Sequence, residues 1–154
     1  MDQFLQKNTD KEYNDVYCRE CGAVCLRNEW KWDENKRNMM NEQGMEAVLC
    51  DACHRTKNEV PKAILSLIGL SADPKQEKII TDIKNMTDYA YEKSPTARLM
   101  KINKKSDETE IYLTDDQLAK KIGRHINREY KGSLSVDINE KSDVARIVWI
   151  SGKE

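Results

Sequence analysis

Two C-x-x-C pairs constrain the fold of this chain more than any other feature of its 154 residues. The first pair is Cys18 and Cys21, and the second pair, after 28 intervening residues, is Cys50 and Cys53. Two thiolates at this spacing can converge on one ion, and two such pairs complete a tetrahedral site with Zn–S bonds of about 2.3 Å. The sequence therefore predicts one structural Zn²⁺ ion held by these four thiolates.

The surroundings of the two pairs are typical of a zinc ribbon. Gly22 follows Cys21, at the point where a cysteine knuckle turns sharply and a residue without a Cβ atom tolerates a positive φ. The long gap between the pairs predicts a hairpin with a polar tip over residues 28–43. Residues 45–49 are then expected to form the strand that delivers the second pair.

Other interpretations of the cysteines fit less well. Buried apolar thiols are the plain alternative, but two C-x-x-C pairs seldom occur without a shared ion. A thioredoxin-like redox motif is a poorer match, because neither pair lies between the strand and the helix of a βαβ unit. The fifth cysteine, Cys25, is expected to be a small core residue or a substitute ligand in a variant site. His54 adjoins Cys53 and is expected near the site or at the surface, since adjacent residues rarely both reach one ion.

The cysteine count and the apolar segments also bear on location. Five cysteines and no apolar leader argue against a disulfide framework. The longest apolar stretch, residues 63–70, is far shorter than the roughly 20 residues that span a bilayer. We therefore expect a soluble cytoplasmic protein that does not engage a membrane.

The sequence offers little support for catalysis. Four thiolates fill a tetrahedral zinc site and leave no position for a reacting water. The two histidines, His54 and His125, are too few for a His-rich hydrolytic site, and the chain contains no glycine-rich phosphate loop, G-x-S-x-G or H-E-x-x-H motif. We expect no enzymatic activity and no small-molecule substrate.

The pattern after the cysteines predicts a second region. Residues 61–73 are interpreted as an apolar connector, either a turn of helix after Pro61 or a buried segment. A helix over residues 74–93 follows, started by Asp73 and Pro74, with an apolar stripe at regular helical spacing formed by Ile79, Ile83, Met86 and Ala90.

The remaining elements are two hairpins around a second helix. Strands are predicted at 98–102 and 110–113, and again at 134–138 and 144–150. Between them, Thr114 and Gln117 form a capping box that begins a helix, and Gly132 is expected to end it.

The predicted fold class is α+β. It consists of a zinc ribbon with two cysteine knuckles over residues 1–60, the connector over 61–73, and an α-β-β-α-β-β sandwich over 74–154. The sandwich is expected to pack two helices on one face of a four-stranded antiparallel sheet.

A basic stripe on the second helix is the best candidate for phosphate binding. The chain has a net charge of −1, so bulk charge does not drive nucleic-acid binding. No acid lies between Gln117 and Arg128, so i,i+4 acidic partners do not neutralise the stripe. The alternative is an ordinary solvated helix face. The predicted RNA-binding residues are Lys120, Lys121, Arg124, Arg128 and Lys131.

Trp30 and Trp32 alternate along a predicted ribbon strand. They are candidates for stacking on bases or for docking on a protein. The other interpretation is that at least one of them covers the small ribbon core.

Several of these segments resemble a known family, the ribosomal large-subunit export adaptor of archaea and eukaryotes, which is named after nonsense-mediated mRNA decay. The resemblance is carried by Leu-Cys-Asp-Ala-Cys-His-Arg at 49–55, by the isoleucines at 79, 80 and 83, and by the strand and helix over 110–122. Export adaptors are several times longer and carry more cysteine pairs, so the export role is not implied. The resemblance implies binding to a ribosomal subunit or its rRNA without catalysis.

The chain also resembles a group of short bacterial zinc-ribbon proteins. These share a layout of ribbon, helix and a final Leu-Ala-x-x-Ile-Gly helix near a C-terminal Trp, matched here by residues 118–123 and Trp149.

Two functions follow from the sequence. The first is a non-enzymatic zinc-binding factor that associates with ribosomes or rRNA through the basic helix. The alternative is a protein-interaction adaptor without direct nucleic-acid binding, in which the ribbon and the apolar segment 63–70 dock a protein partner. A DNA-binding ribbon is a weaker third, because the chain shows no helix-turn-helix pattern.

Overall fold

The computed structural model describes residues 15–137 and 143–152, which contain nine strands and four helices in two mixed sheets. We call residues 15–60 the cysteine region and residues 61–152 the α/β region. Each region is built around its own sheet. In the described residues, no helix combines the length and the apolar character needed to cross a membrane.

The cysteine region contains a sheet of very short strands in the order β3-β2-β1-β4, with β4 parallel to β1. The β2–β3 hairpin turns through Arg27 and Asn28, both with positive φ, as a two-residue hairpin turn requires. Its elements are β1 (Val16–Cys18), β2 (Val24–Leu26), β3 (Glu29–Lys31), α1 (Glu34–Glu42), β4 (Ala47–Val48) and α2 (Asp51–Asn58).

Two expectations for this region were wrong. The stretch 28–43 is not a polar hairpin tip, because it contains β3 and α1. Asp33 caps α1 by accepting a hydrogen bond from the Lys36 backbone N–H at 3.0 Å, and Met40 is the residue that the helix buries. Helix α2 was not predicted from the sequence either. The strand expected at 45–49 exists, but it is limited to the two residues of β4.

The α/β region forms a five-stranded sheet in the order β6-β7-β5-β9-β8. Strand β5 pairs antiparallel with β7 and parallel with β9, so the sheet is mixed. The elements are β5 (Ala63–Ile68), α3 (Lys75–Lys93), β6 (Leu99–Lys104), β7 (Glu108–Leu113), α4 (Asp116–Glu129), β8 (Gly132–Asp137) and β9 (Ala145–Ser151).

The apolar segment at 61–73 is therefore not the predicted helical turn or connector. It contains β5, the central strand of the sheet, and the predicted four-stranded antiparallel sheet is corrected to a mixed sheet of five strands. The first five residues of β5 are buried on both faces, which explains their continuous apolar run. The division into a zinc ribbon over residues 1–60 and a separate domain over residues 74–154 stays a prediction.

The two long helices cover one face of this sheet, as predicted. Ile79 and Ile83 of α3 and Ile122 and Ile126 of α4 are all fully buried in one apolar cluster. From the sheet side, the cluster receives alternate residues of the inner strands, namely Ala63, Leu65, Leu67, Ile111, Leu113, Ile147 and Trp149.

Both predicted hairpins pair as expected, β6 with β7 and β8 with β9. The tip of the second hairpin, at residues 138–142, lies outside the described residues.

Two details of α4 differ from the prediction. Asp115 caps the helix, because its carboxylate accepts from the backbone N–H groups of Gln117 and Leu118, while Thr114 is buried and bonds elsewhere.

Gly132 does not end α4, which stops at Glu129, but begins β8. A Cβ atom there would lie 2.5 Å from Cζ2 of the buried Trp149 and would also meet the Ile150 carbonyl oxygen. The position takes glycine because the indole ring needs this space.

Candidate metal centre

The structure brings the four predicted cysteine ligands together. The Sγ atoms of Cys18, Cys21, Cys50 and Cys53 all lie within 4.8 Å of one another, and Cys21 is the one that is partly exposed. A tetrahedral ion with about 2.3 Å bonds to sulfur requires S···S separations of about 3.8 Å. The distance of 3.8 Å between the Cys21 and Cys50 sulfurs has this value. The cluster has the geometry to hold a metal ion.

The first pair lies in a tight turn at the end of β1. The Cys18 backbone N–H donates to the Ala23 carbonyl at 2.8 Å, and the Gly22 N–H donates back to the Cys18 carbonyl at 3.0 Å. Gly22 has φ +82°, as the sequence predicted for this position. A Cβ atom at Gly22 would approach Cδ of Arg37 to 3.0 Å, so the turn also leaves room for α1 to pack on it.

The second pair lies at the start of α2. Cys50 is the N-cap residue, and its sulfur accepts from the Cys53 backbone N–H at 3.4 Å. The Cys50 N–H donates to the Cys18 sulfur at 3.3 Å and so links the two pairs. The partial positive charge of a helix N-terminus favours thiolates at this position.

A residue from the α/β region completes this site. The Arg98 guanidinium, just before β6, donates from Nη1 to the Cys53 sulfur at 3.2 Å and lies 3.7 Å from the Cys50 sulfur through Nη2. Its Nε donates to the Pro95 carbonyl at 2.8 Å. The sequence predicts only a strand at Arg98. No local pattern could identify it, because it lies 45 positions after Cys53 in the sequence.

The electrostatics of the metal-free thiols agree with this geometry. Hydrogen bonds from Cys21 and Cys50 lower the pKa of Cys18 far below its usual range, because they stabilise its thiolate. The same bond to Cys18 raises the pKa of Cys50, and burial raises that of Cys53. Burial alone would lower the pKa of Arg98, but the hydrogen bond and the charge of Cys53 outweigh burial and raise it, so the guanidinium stays charged.

Cys25 and His54 do not join the four sulfurs. Cys25 is fully buried beside Val16 and Val48, and burial raises the pKa of its thiol. This matches the expectation of a small core residue. His54 is half-buried, with its Nε2 atom 3.2 Å from the side-chain nitrogen of Asn58 one turn later on α2. His54 therefore lies near the site without facing the sulfurs.

The two tryptophans have different roles. Trp30 is half-buried and packs against the apolar residues on both sides of the ribbon, so it covers the core as one prediction held. Trp32 is 37% exposed, but its indole N–H donates to the Tyr91 carbonyl at 2.8 Å. The two rings meet edge to face at 5.3 Å, so Trp32 joins the cysteine region to α3.

The predicted RNA-binding residues do not all share one position. Lys121, Arg124 and Arg128 are exposed on the outer side of α4, opposite the buried Ile122 and Ile126. Lys120 is half-buried on the flank of the helix, and Lys131 follows the helix end. Arg128 is 4.0 Å from the neighbouring Glu129. Within the described residues, Lys120, Lys121, Arg124 and Lys131 form no ion pair within 4.0 Å.

An apolar groove lies beside this stripe. It has a volume of about 500 Å³ and runs between α3 and the first turns of α4. Met86, Ala90 and Leu118 line it together with Lys93 and Lys121, so one member of the stripe borders an apolar depression.

Comparison of the chain with protein-family models, curated proteins and solved structures gives no match. The resemblance to the export-adaptor family stays a prediction from the residues quoted above.

Proposed function

We propose that this chain is a non-enzymatic zinc-binding factor that associates with ribosomes or rRNA through the exposed basic side chains of α4. The observation that carries the proposal is the convergence of four cysteine sulfurs within 4.8 Å. Two separate turns of the chain deliver them, one after β1 and one at the start of α2.

Zinc is the metal that this donor set favours. Four thiolates in tetrahedral array are typical of structural zinc, whereas the hard cations Mg²⁺ and Ca²⁺ prefer oxygen ligands. The four sulfurs occupy every position of the tetrahedron. A zinc ion here stabilises the fold and offers no site for a reacting water, which supports a role without turnover.

The RNA part of the proposal is supported by three exposed cations. Lys121, Arg124 and Arg128 project from successive turns of one helix, and in the part of the chain that the structure describes only Arg128 has an ion-pair partner, Glu129 at 4.0 Å. These side chains can contact successive phosphates of a nucleic-acid backbone. Few existing ion pairs would have to break for them to do so.

Zinc binding is tested by elemental analysis of protein purified without chelator. We expect one Zn²⁺ per chain and loss of the ion in Cys50→Ser. A chain without zinc, or a Cys50→Ser variant with full zinc, contradicts the assignment.

RNA association is tested by co-sedimentation with ribosomes at two salt concentrations. Arg124→Glu combined with Arg128→Glu should weaken binding and lower the slope of log affinity against log salt by about 2. The matched control is Lys78→Glu with Lys84→Glu, which makes the same charge change on exposed positions of α3. A folded α4 variant that sediments like the parent excludes this helix face, and equal losses in both variants indicate bulk charge only.

One of the two docking elements expected for a protein-interaction adaptor is buried and cannot meet a partner. The apolar segment 63–70 was expected to meet a partner, but Ala63, Leu65 and Leu67 are buried in the central strand of the sheet. The ribbon remains as the other docking element, so an intact protein that never binds ribosomes or RNA would favour the adaptor.

A further inference from the structure

We propose that Arg98 is a positioning residue of the metal centre, through which the α/β region controls metal affinity in the cysteine region. The proposal rests on the proposed zinc site. It adds that the cysteine region alone does not form the complete site.

A zinc ion held by these four thiolates would leave negative charge that Arg98 can balance. A divalent ion with four thiolates carries a net charge of −2, and three of the four cysteines are buried. Buried charge is costly unless it is paired and hydrogen-bonded. Backbone N–H groups at Cys50 and Cys53 supply two donors, but Arg98 brings a full positive charge to the sulfurs at 3.2 and 3.7 Å.

The α/β region fixes Arg98 in place. Its backbone N–H donates to the Thr114 hydroxyl at 2.8 Å, and its Nε donates to the Pro95 carbonyl at 2.8 Å. Its Cζ lies 5.3 Å from the centre of the Tyr91 ring. The guanidinium is therefore held in its orientation before it meets the sulfurs, and little entropy is lost when it donates to them.

A second contact joins the cysteine region to the α/β region beside Arg98. Tyr91 stacks on Arg98 with its ring and accepts the Trp32 indole N–H with its carbonyl. Trp32 lies directly after β3 of the cysteine region. The junction between the two regions therefore runs from Trp32 through Tyr91 and Arg98 to the sulfurs of Cys50 and Cys53.

Reciprocity follows from this arrangement. If the contact between Arg98 and the sulfurs strengthens metal binding, then metal binding strengthens the contact between the two regions by the same factor. Partners of this kind around metal ligands change metal affinity by roughly 10–100-fold when they are removed.

The test is a chelator competition that measures the zinc affinity of the full chain. We expect Arg98→Gln to weaken zinc binding by about 10–100-fold. The zinc affinity of Arg98→Lys should lie between those of the parent and of Arg98→Gln, because lysine keeps the charge but lacks the planar fork. The control is Arg146→Gln, which removes an exposed arginine of the same sheet and should leave the affinity unchanged.

A spectroscopic measurement separates direct contact from a general loss of structure. In protein loaded with Co²⁺, the loss of a hydrogen-bond donor to thiolate should shift the sulfur-to-cobalt charge-transfer band to lower energy. We expect this shift in Arg98→Gln. Trp32→Phe removes the hydrogen bond to the Tyr91 carbonyl and leaves Arg98 in place. It should keep the parental band position and weaken zinc binding less than Arg98→Gln does.

The outcomes are distinguishable. Unchanged zinc affinity and an unchanged cobalt band in Arg98→Gln overturn the role of Arg98 and leave the zinc site intact. A parent chain that binds neither ion overturns the proposed function itself. If Arg98→Gln does not fold, parental values for both readouts in Arg98→Lys overturn the proposal, because a lysine has one nitrogen in place of the two that meet the Cys53 and Cys50 sulfurs.

Discussion

The two regions of this molecule bury very different amounts of apolar surface. Strands of the cysteine region have two or three residues, and its larger cluster contains five buried residues, three of which are cysteines. Strands of the α/β region have six or seven residues, and its cluster contains fifteen buried residues. Packing can therefore hold the α/β region, whereas the cysteine region has so small a core that the proposed metal ligation is expected to stabilise it.

Removal of the metal should have the largest effect and should be confined to one region. Cys21→Ala, or zinc withdrawal by a strong chelator, is expected to unfold residues 15–60 and leave the α/β region folded. The reason is that structural zinc contributes roughly 10–16 kcal/mol of binding free energy to small sites at pH 7. Amide hydrogen exchange followed by residue measures the effect in each region.

Cys25→Ala is the matched control, because it removes a buried thiol of the same region that does not face the other four. It should retain one zinc per chain. Simultaneous loss of protection in both regions of the metal-free protein would show that the α/β core cannot fold alone.

A cavity in the α/β core should have the next largest effect. It should destabilise the α/β region and leave the cysteine region unchanged. Ile122→Ala removes most of a fully buried side chain between α4 and the sheet, which typically costs 2–5 kcal/mol, so about 3 kcal/mol is expected here. Urea denaturation measures the loss, with the exposed Lys121→Ala as the control. Zinc content should not change, and a chain that loses its zinc would show that the regions are less independent than their cores suggest.

The cap of α4 tests a smaller contribution to the same region. Asp115 accepts two backbone N–H groups, so Asp115→Ala should lower the free energy of unfolding by about 1 kcal/mol. Asp116→Ala, one residue inside the helix, should cost less because it makes no cap bond. Equal losses in the two variants, by the same urea measurement, would contradict the role of Asp115.

The smallest effect is expected from an exposed ion pair in the cysteine region. Lys57 on α2 lies 2.7 Å from Glu20 in the first cysteine turn, and both side chains are about half exposed. Lys57→Ala should change stability by less than about 1 kcal/mol, because solvent screens such pairs. A loss as large as that of Cys21→Ala, measured by thermal unfolding of the zinc-loaded protein, would mean that more than sulfur ligation holds this region.

Sequence reasoning succeeded where the signal is local. The C-x-x-C pairs and Gly22 identify the cysteine cluster because ligand spacing and a positive φ depend on neighbouring residues. The helix expected at 74–93 is found at Lys75–Lys93 because its apolar stripe, from Ile79 to Ala90, repeats over about three turns.

The same reasoning failed where the signal is weak or distant. Residues 63–68 carry a continuous apolar run, and periodicity cannot separate a strand buried on both faces from a short helix. Helix α1 buries one residue, Met40, so it has almost no apolar stripe. Arg98 meets its sulfur partners only after the sheet has formed, and no spacing in the chain encodes that contact.

The pairing of β5 with β9 determines the order in which the chain can be assembled during synthesis. Ala63 lies opposite Ala145, so the central strand waits for one of the last segments of the described chain before its second edge is satisfied. Closing so long a loop is slow compared with local turns. All four sulfur ligands, by contrast, have left the ribosome once residue 53 has emerged. The four sulfurs can therefore come together first, and Arg98 completes their surroundings only after the sheet has formed.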